Sequence, residues 1–178
     1  METENILCNI AGFWQRVGMR LLDLIIAGIP CVLLYTYSLK LSVRLGNVIP
    51  FVVYWIFFCA AMIFFIVKYG GTPGKLIMKA KILDKNGERL TILRSVRRII
   101  FYIIGACCLI PILDLAIQSK IEEKDVVHFI SNSSSMYQSM YSYFGILTIV
   151  SDLLVLFNPK RRALHDFIAG SFVVVREK

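Results

Sequence analysis

Charge is scarce in this 178-residue chain, at 18% of positions, and acids are scarcer than bases, twelve against twenty. Only two histidines occur, His128 and His165, and no paired catalytic constellation can be read from them. Cys31, Cys59, Cys107 and Cys108 fall in apolar runs and Cys8 lies near the amino end, with no spacing that suits a metal or a disulfide framework. The segment Gly70-Gly71-Thr72-Pro73-Gly74-Lys75 lacks the Walker spacing and follows an apolar run rather than a strand. Ser131 to Ser135 has no nucleophile-elbow context. No internal repeat is visible, which argues against an inverted-repeat transporter within one chain. The expectation is a protein that is not an enzyme and needs no metal or cofactor.

Apolar residues, in contrast, are abundant. They fill 57% of positions and give a mean hydropathy of +0.69, too much for one soluble core of this size to hide and too much for a disordered chain. The twenty-three residues between Arg44 and Lys68 carry no charge, long enough to cross a hydrocarbon layer of about 30 Å. Three further stretches have similar character, giving expected spans at 13–37, 48–67, 99–117 and 140–157. The first has cations inside its apolar stretch and no convincing cleavage site, unlike a signal peptide.

Four spans put both termini on one side. Arg16, Arg20, the nine cations from Lys68 to Arg98 and the five from Lys160 to Lys178 lie on that side, while Lys40, Arg44, Lys120 and Lys124 lie on the other. Positive charge accumulates in short cytoplasmic loops, so the termini and the central loop are expected in the cytoplasm. The net charge of +8 is then topology rather than a nucleic-acid footprint. Anionic lipid headgroups are the expected partners of the basic segments, with Lys75, Arg97, Arg98, Arg161 and Arg162 as membrane-surface contacts.

The central loop reads as a small folded element. Gly70, Gly71, Pro73 and Gly74 break the second helix. From Leu76 the residues alternate with period two, Asp84-Lys85-Asn86-Gly87 supplies turn chemistry, and Arg89 to Leu93 returns, so a cytoplasmic β-hairpin is expected over 75–93. The β-branched run Phe172 to Val175 is expected to pair beside it. Ser119 to Ser139 reads as a solvated outer loop with a short helix at Lys124 to Ile130. Leu164, Phe167 and Ile168 recur at helical spacing, marking 158–170 as an interfacial segment. The fold class is thus an all-α membrane protein, one domain over 1–178, with four transmembrane helices, a small cytoplasmic β-hairpin and an interfacial C-terminal helix.

Ionisable residues within spans are the candidate polar core or ion site. Arg16, Arg20 and Asp23 share one helical stripe, and side chains lean toward the amino end, so Asp23 is expected to turn back toward Arg20 and Arg16. Asp114, near the helix-bending Pro111, and Asp152 are the other acids within spans. Carboxylates lining a cavity would exchange a proton for a cation; hydrogen bonding to a neighbouring helix is the alternative. Asp166 is expected at the level of Arg16, so a bridge between them would tie the end of the chain to its first span. His165 is either a proton acceptor or a hydrogen-bonded structural residue.

In this order the pieces resemble the RDD family of bacterial membrane proteins, named for an arginine and two aspartates. The resemblance rests on Ala11-Gly12-Phe13-Trp14-Gln15-Arg16 with Asp23, on Gly71-Thr72-Pro73-Gly74-Lys75 and Asn86-Gly87, and on Arg94 with Arg97-Arg98. It closes on Arg161-Arg162-Ala163-Leu164-His165-Asp166-Phe167-Ile168-Ala169-Gly170 and Val173-Val174-Val175. It implies Arg16, Asp23 and Asp166 as the name-giving three and a place in the bacterial inner membrane. Arg20 and the long outer loop depart from the family pattern. Some members are linked to sodium/proton exchange and others accompany membrane-protein complexes. Two expectations follow: a proton-coupled monovalent cation transporter, working as a homo-oligomer on its intramembrane aspartates, or a non-enzymatic interaction or assembly factor in which Arg16, Asp23 and Asp166 lock the fold.

Overall fold

The structure is a computed structural model that describes residues 10–157 and 162–175, with the Asp152 side chain excepted. Arg161 and the start of the interfacial segment, 158–161, lie outside the described residues. Four helical stretches are long and apolar enough to cross a membrane: Phe13–Leu45, Ile49–Ile77, Ile100–Gln118 and Met136–Phe157. The expected spans are all present, and the first is longer than its hydropathy suggested.

In chain order the elements are α1 (Phe13–Leu45), α2 (Ile49–Phe64, extended by a π-wound turn, Phe65–Tyr69), the short α3 (Pro73–Ile77) and β1 (Ala80–Asp84). They continue with α4 (Ile92–Arg98), α5 (Ile100–Gln118), α6 (Val126–Asn132), α7 (Met136–Phe157), α8 (Leu164–Ala169) and β2 (Ser171–Val175). Helix α1 also contains a π-wound stretch, Leu24–Gly28, directly after Asp23. Among the described residues the chain forms two compact units, one from 10–29, Ala60–Ile100, 149–157 and 162–175, the other from Pro30–Cys59 and Phe101–Thr148.

In the first unit β1 and β2 pair antiparallel, Ala80 opposite Val175, Ile82 opposite Val173 and Asp84 opposite Ser171. Period two buries Ala80, Ile82, Asp84, Ser171 and Val173 on one face. Each strand edge is partly covered: Ala11 N donates to Val173 O at 2.8 Å and Ile82 N to Gly70 O at 2.6 Å. Gly70, at φ +82°, turns the chain out of the π-wound end of α2 in a conformation that glycine adopts without strain.

The hairpin expected over 75–93 is realised differently. Its first residues belong to α3, its return strand is a single bridge from Leu83 to Arg89, and Ile92–Arg98 is helical. Thr91 caps that helix by accepting from Arg94 N, which favours helix over a second strand. The turn itself forms as read. Asp84 Oδ1 accepts from Asn86 N at 2.8 Å and Glu88 N at 3.0 Å, and Oδ2 from Arg94 Nη1 at 2.7 Å. Burial raises the Asp84 carboxyl, but these donors hold it below its usual value. The strand that pairs with β1 is the C-terminal one.

The second unit packs Leu39, Phe51, Leu109, Ile112 and Leu113 with Val126 and Ile130 of α6. The stretch 119–139 therefore plants an apolar turn in a core instead of being wholly solvated. Pro111 lies inside α5, which continues to Gln118.

Candidate functional site

Two short helices of the first unit are capped by polar side chains from the spans. Helix α3 begins with Thr72 at its cap, Pro73 at its first position and no local side-chain cap bond. A cap hydroxyl ordinarily satisfies the early amides of its own helix. Here Thr72 Oγ1 instead donates to Asp23 Oδ2 at 2.6 Å, and Gly74 N donates to Asp23 Oδ1 at 2.7 Å. Asp23 of α1 thus caps a helix some fifty residues away, where a carboxylate also suits the positive end of the helix dipole. Lys75 Nζ completes the arrangement at 3.4 Å from Asp23 Oδ2 and 3.0 Å from Thr72 Oγ1. Gly74 is required for the approach. A Cβ there would sit 2.5 Å from Met19 O and 2.7 Å from Asp23 N.

Helix α8 uses the same device. Ala163 stands at its cap with no side-chain oxygen to offer, and Ser151 of α7 accepts from Leu164 N at 3.0 Å and His165 N at 3.4 Å. Asp166, at the third helical position, reaches back to Ala163 N at 3.3 Å.

Asp166 is the centre of the second cluster. It is fully buried, with Oδ2 at 2.6 Å from Arg16 Nη1 and Oδ1 paired with Arg98 Nη1. Arg98 also donates to Ser171 Oγ. Burial raises the Asp166 carboxyl, but the Arg98 and Arg16 guanidinium groups hold it far below the usual carboxylate range. Burial and the Arg98 charge push His165 down to about 3, so its imidazole is neutral near pH 7. Arg162 braces the same corner, donating to Ser171 O at 3.2 Å and Asp166 O at 3.0 Å, with Phe167 and Phe172 on its faces.

Ser151, His165 and Asp166 form a chain in space, with Ser151 Oγ 3.3 Å from His165 Nδ1 and His165 Nε2 3.4 Å from Asp166 Oδ1. Its chemistry is unlike that of a hydrolytic triad. Ser151 is buried and its oxygen already accepts two backbone amides. Burial and the Arg98 charge disfavour the protonated imidazole that a general base must become.

The expected bridge from Arg16 to Asp166 is present. Asp23 does not turn back to Arg16 as its stripe predicted, because Thr72, Gly74 and Lys75 offer it three donors; Arg16 goes to Asp166 instead. Arg20 is exposed on the same helix. Asp114 belongs to the second unit, exposed, and accepts from Gln118 Nε2 one turn on at 2.7 Å. Asp152 lies on α7, and its side chain is outside the described residues. Of the expected lipid contacts, Lys75 and Arg98 are corrected: each is largely buried against a carboxylate. Arg97 is exposed on α4. Sequence reasoning missed Thr72, Gly74, Ser151, Arg98 as the second cation on Asp166, and Ser171. A Thr followed by Pro is a helix-start signal and would have pointed to α3.

Comparison with known proteins follows the same residues. An RDD family match extends over residues 10–170, from just before α1 to the end of α8. The chain is similar to an uncharacterized protein of Bacillus subtilis (strain 168), YckC, at 26% identity over 163 residues, which cover 92% of this chain and 83% of that protein. No solved structure matches it. With four helices of membrane-spanning length and a family match that takes in Arg16, Asp23 and Asp166 together, this multi-pass membrane protein belongs to the RDD family.

Proposed function

We propose that the protein is a non-enzymatic membrane interaction or assembly module, in which the arginine and two aspartates are a polar lock. The lock fastens the two short helices and the small sheet to the spans and fixes a basic surface beside the bilayer. The observation that carries this reading is the state of Asp166, fully buried between Arg16 and Arg98 and held ionised. A carboxylate in that state takes up no proton near neutral pH, so it serves as a fixed counter-charge rather than an exchange site. We place the termini and the α3 to α4 stretch on the cytoplasmic side of the bacterial inner membrane on the charge bias of the sequence. Exposed cations such as Arg97 would then face anionic headgroups or an acidic membrane partner. In proteoliposomes under an imposed sodium or pH gradient, the protein is expected to move no ions, and Arg16→Ala is expected to lower thermal stability. Gradient-driven flux that depends on this chain would overturn the reading.

A second reading, sodium/proton exchange at Asp23 by a homo-oligomer, is favoured by one feature. Asp23 has the looser cation contact, 3.4 Å to Lys75, with a π-wound turn directly after it at Leu24–Gly28, an irregularity often found at functional sites. It requires flux that Asp23→Asn abolishes while the protein remains folded.

A further inference from the structure

Helix α4 has its polarity reversed. Its inward side carries Ser95 and Arg98, 0% and 7% exposed, and Arg94, which reaches Asp84 at 2.7 Å. Its outward side carries Ile92 and Leu93, 64% and 61% exposed. At about 100° per residue, Ile92, Val96, Leu93 and Arg97 fall on one continuous arc, and Arg94, Arg98 and Ser95 on the other. A helix bordering water shows the opposite arrangement, with apolar residues inward and polar ones outward. We propose that α4 lies flat in the membrane interface. Ile92, Leu93 and Val96 turn into the boundary between headgroups and acyl chains, and Arg97, at the edge of the arc, reaches the phosphates of an anionic leaflet.

Both ends of the helix are held at the level where spans end. On the entering side, Arg89 Nη1 donates to Lys68 O at 2.6 Å, in the π-wound last turn of α2. On the leaving side, Ile99 at φ −98° and ψ 11° ends the helix, and the span α5 begins at Ile100. The seven residues of α4 measure about 10 Å. Tied at both ends to that level, they run along the surface rather than away from it. The inward side packs against α8 and the end of α2 and satisfies its own polar groups. Ser95 Oγ donates to Thr91 O at 3.0 Å, and Arg98 pairs with Asp166 and Ser171. Facing lipid therefore leaves none of these side chains without a partner. Arg97 suits the rim of such a contact, because its apolar stem stays with the acyl chains while its guanidinium reaches the phosphate layer.

This placement rests on the spans and not on the polar lock, so it stands whether or not the protein moves ions. The full chain, freed of its native thiols and carrying Ile92→Cys, Leu93→Cys or Lys85→Cys, is labelled with a nitrobenzoxadiazole dye. It is reconstituted in nanodiscs of phosphatidylcholine and phosphatidylglycerol. Quenching is measured with a lipid nitroxide near the top or near the end of the acyl chain, and with iodide in the water. All three positions are exposed, so the substitutions disturb no packing. Dyes at Ile92 and Leu93 are expected to emit to the blue of the dye at Lys85, to lose most fluorescence to the nitroxide near the top of the chain, and to resist iodide. The dye at Lys85 is expected to be quenched by iodide and spared by both nitroxides. Iodide quenching at Ile92 or Leu93 equal to that at Lys85, with no loss to either nitroxide, overturns the proposal and gives the arc to a soluble partner. Equal loss to the lipid nitroxides at Lys85 overturns the restriction of the contact to α4, and stronger loss to the nitroxide at the chain end overturns the interfacial depth. Leaving out phosphatidylglycerol is expected to raise iodide quenching at Leu93, and to change it little when Arg97→Gln is also present. Absence of that difference overturns Arg97 as the headgroup contact.

Discussion

Gly74→Ala tests the contact between α3 and the first span with a single methyl group. The new Cβ would lie 2.5 Å from Met19 O, 2.7 Å from Asp23 N and 2.9 Å from Asp23 Oδ1. The first two are backbone atoms of α1, so no rotamer change relieves them, and ordinary contact requires α3 to retreat by about 1 Å. That retreat stretches the 2.7 Å bond from Gly74 N to Asp23 past useful length. Overpacking contributes about 1–3 kcal/mol and the lost bond to a charged acceptor about 1.5–3 kcal/mol, giving an expected destabilisation of roughly 3–5 kcal/mol. For a chain of this size that corresponds to a fall in thermal midpoint of roughly 10 °C, readable by fluorescence in nanodiscs. Gly18→Ala is the control, because its Cβ meets only the flexible Met78 thioether, at 3.3 Å, and a loss of less than about 1 kcal/mol is expected. A Gly74→Ala protein within about 2 °C of its parent would refute the proposed approach of α3 to α1.

Acidification should weaken the α8 corner through His165, whose folded value is pushed down to about 3 from its ordinary 6.5. The unfolded chain therefore binds more protons in that window, and stability is complete above about pH 6.5 and falls as pH drops toward 3, by about 2 kcal/mol at pH 5. His165→Gln should flatten thermal midpoints between pH 7 and pH 5; an unchanged slope would contradict the burial argument. Asp166 adds its own loss only below the ordinary carboxylate value of 3.8, so the two effects separate by pH. Asp84→Ala removes the acceptor of two turn amides and of Arg94 and should cost about 2–4 kcal/mol, measured by denaturation; a neutral result would mean that the turn forms without it. Cysteines placed at Lys85 and at Glu122 in a background lacking the native thiols should label from opposite sides of sealed vesicles. Labelling from one side would overturn the proposed topology.

The spans were legible because an uncharged run of membrane length is seldom anything but a helix that crosses the bilayer. The polar contacts were legible only where residue type and depth sufficed. Arg16 to Asp166 is legible from two residues expected at one level. Asp23 was assigned the neighbours on its own helix because periodicity knows nothing else; Thr72, Gly74 and Lys75, forty-nine to fifty-two residues on, reach it only through the tertiary fold. Arg89 to Leu93 follows a strong turn and so reads as a strand, yet Thr91 is also a helix cap, and Ser95 and Arg98 gain burial on the helical face. Ser151 carried no signal, since a serine in an apolar run is ordinary until the amides it caps are placed beside it.

The most direct test is the stability of Asp166→Asn in nanodiscs. Removing the shared counter-charge leaves Arg16 and Arg98 facing each other in a buried corner, and breaking such a group from one side typically costs about 3–5 kcal/mol. The lock predicts a loss of that size with no change in ion flux. An Asp166→Asn protein as stable as its parent would contradict it.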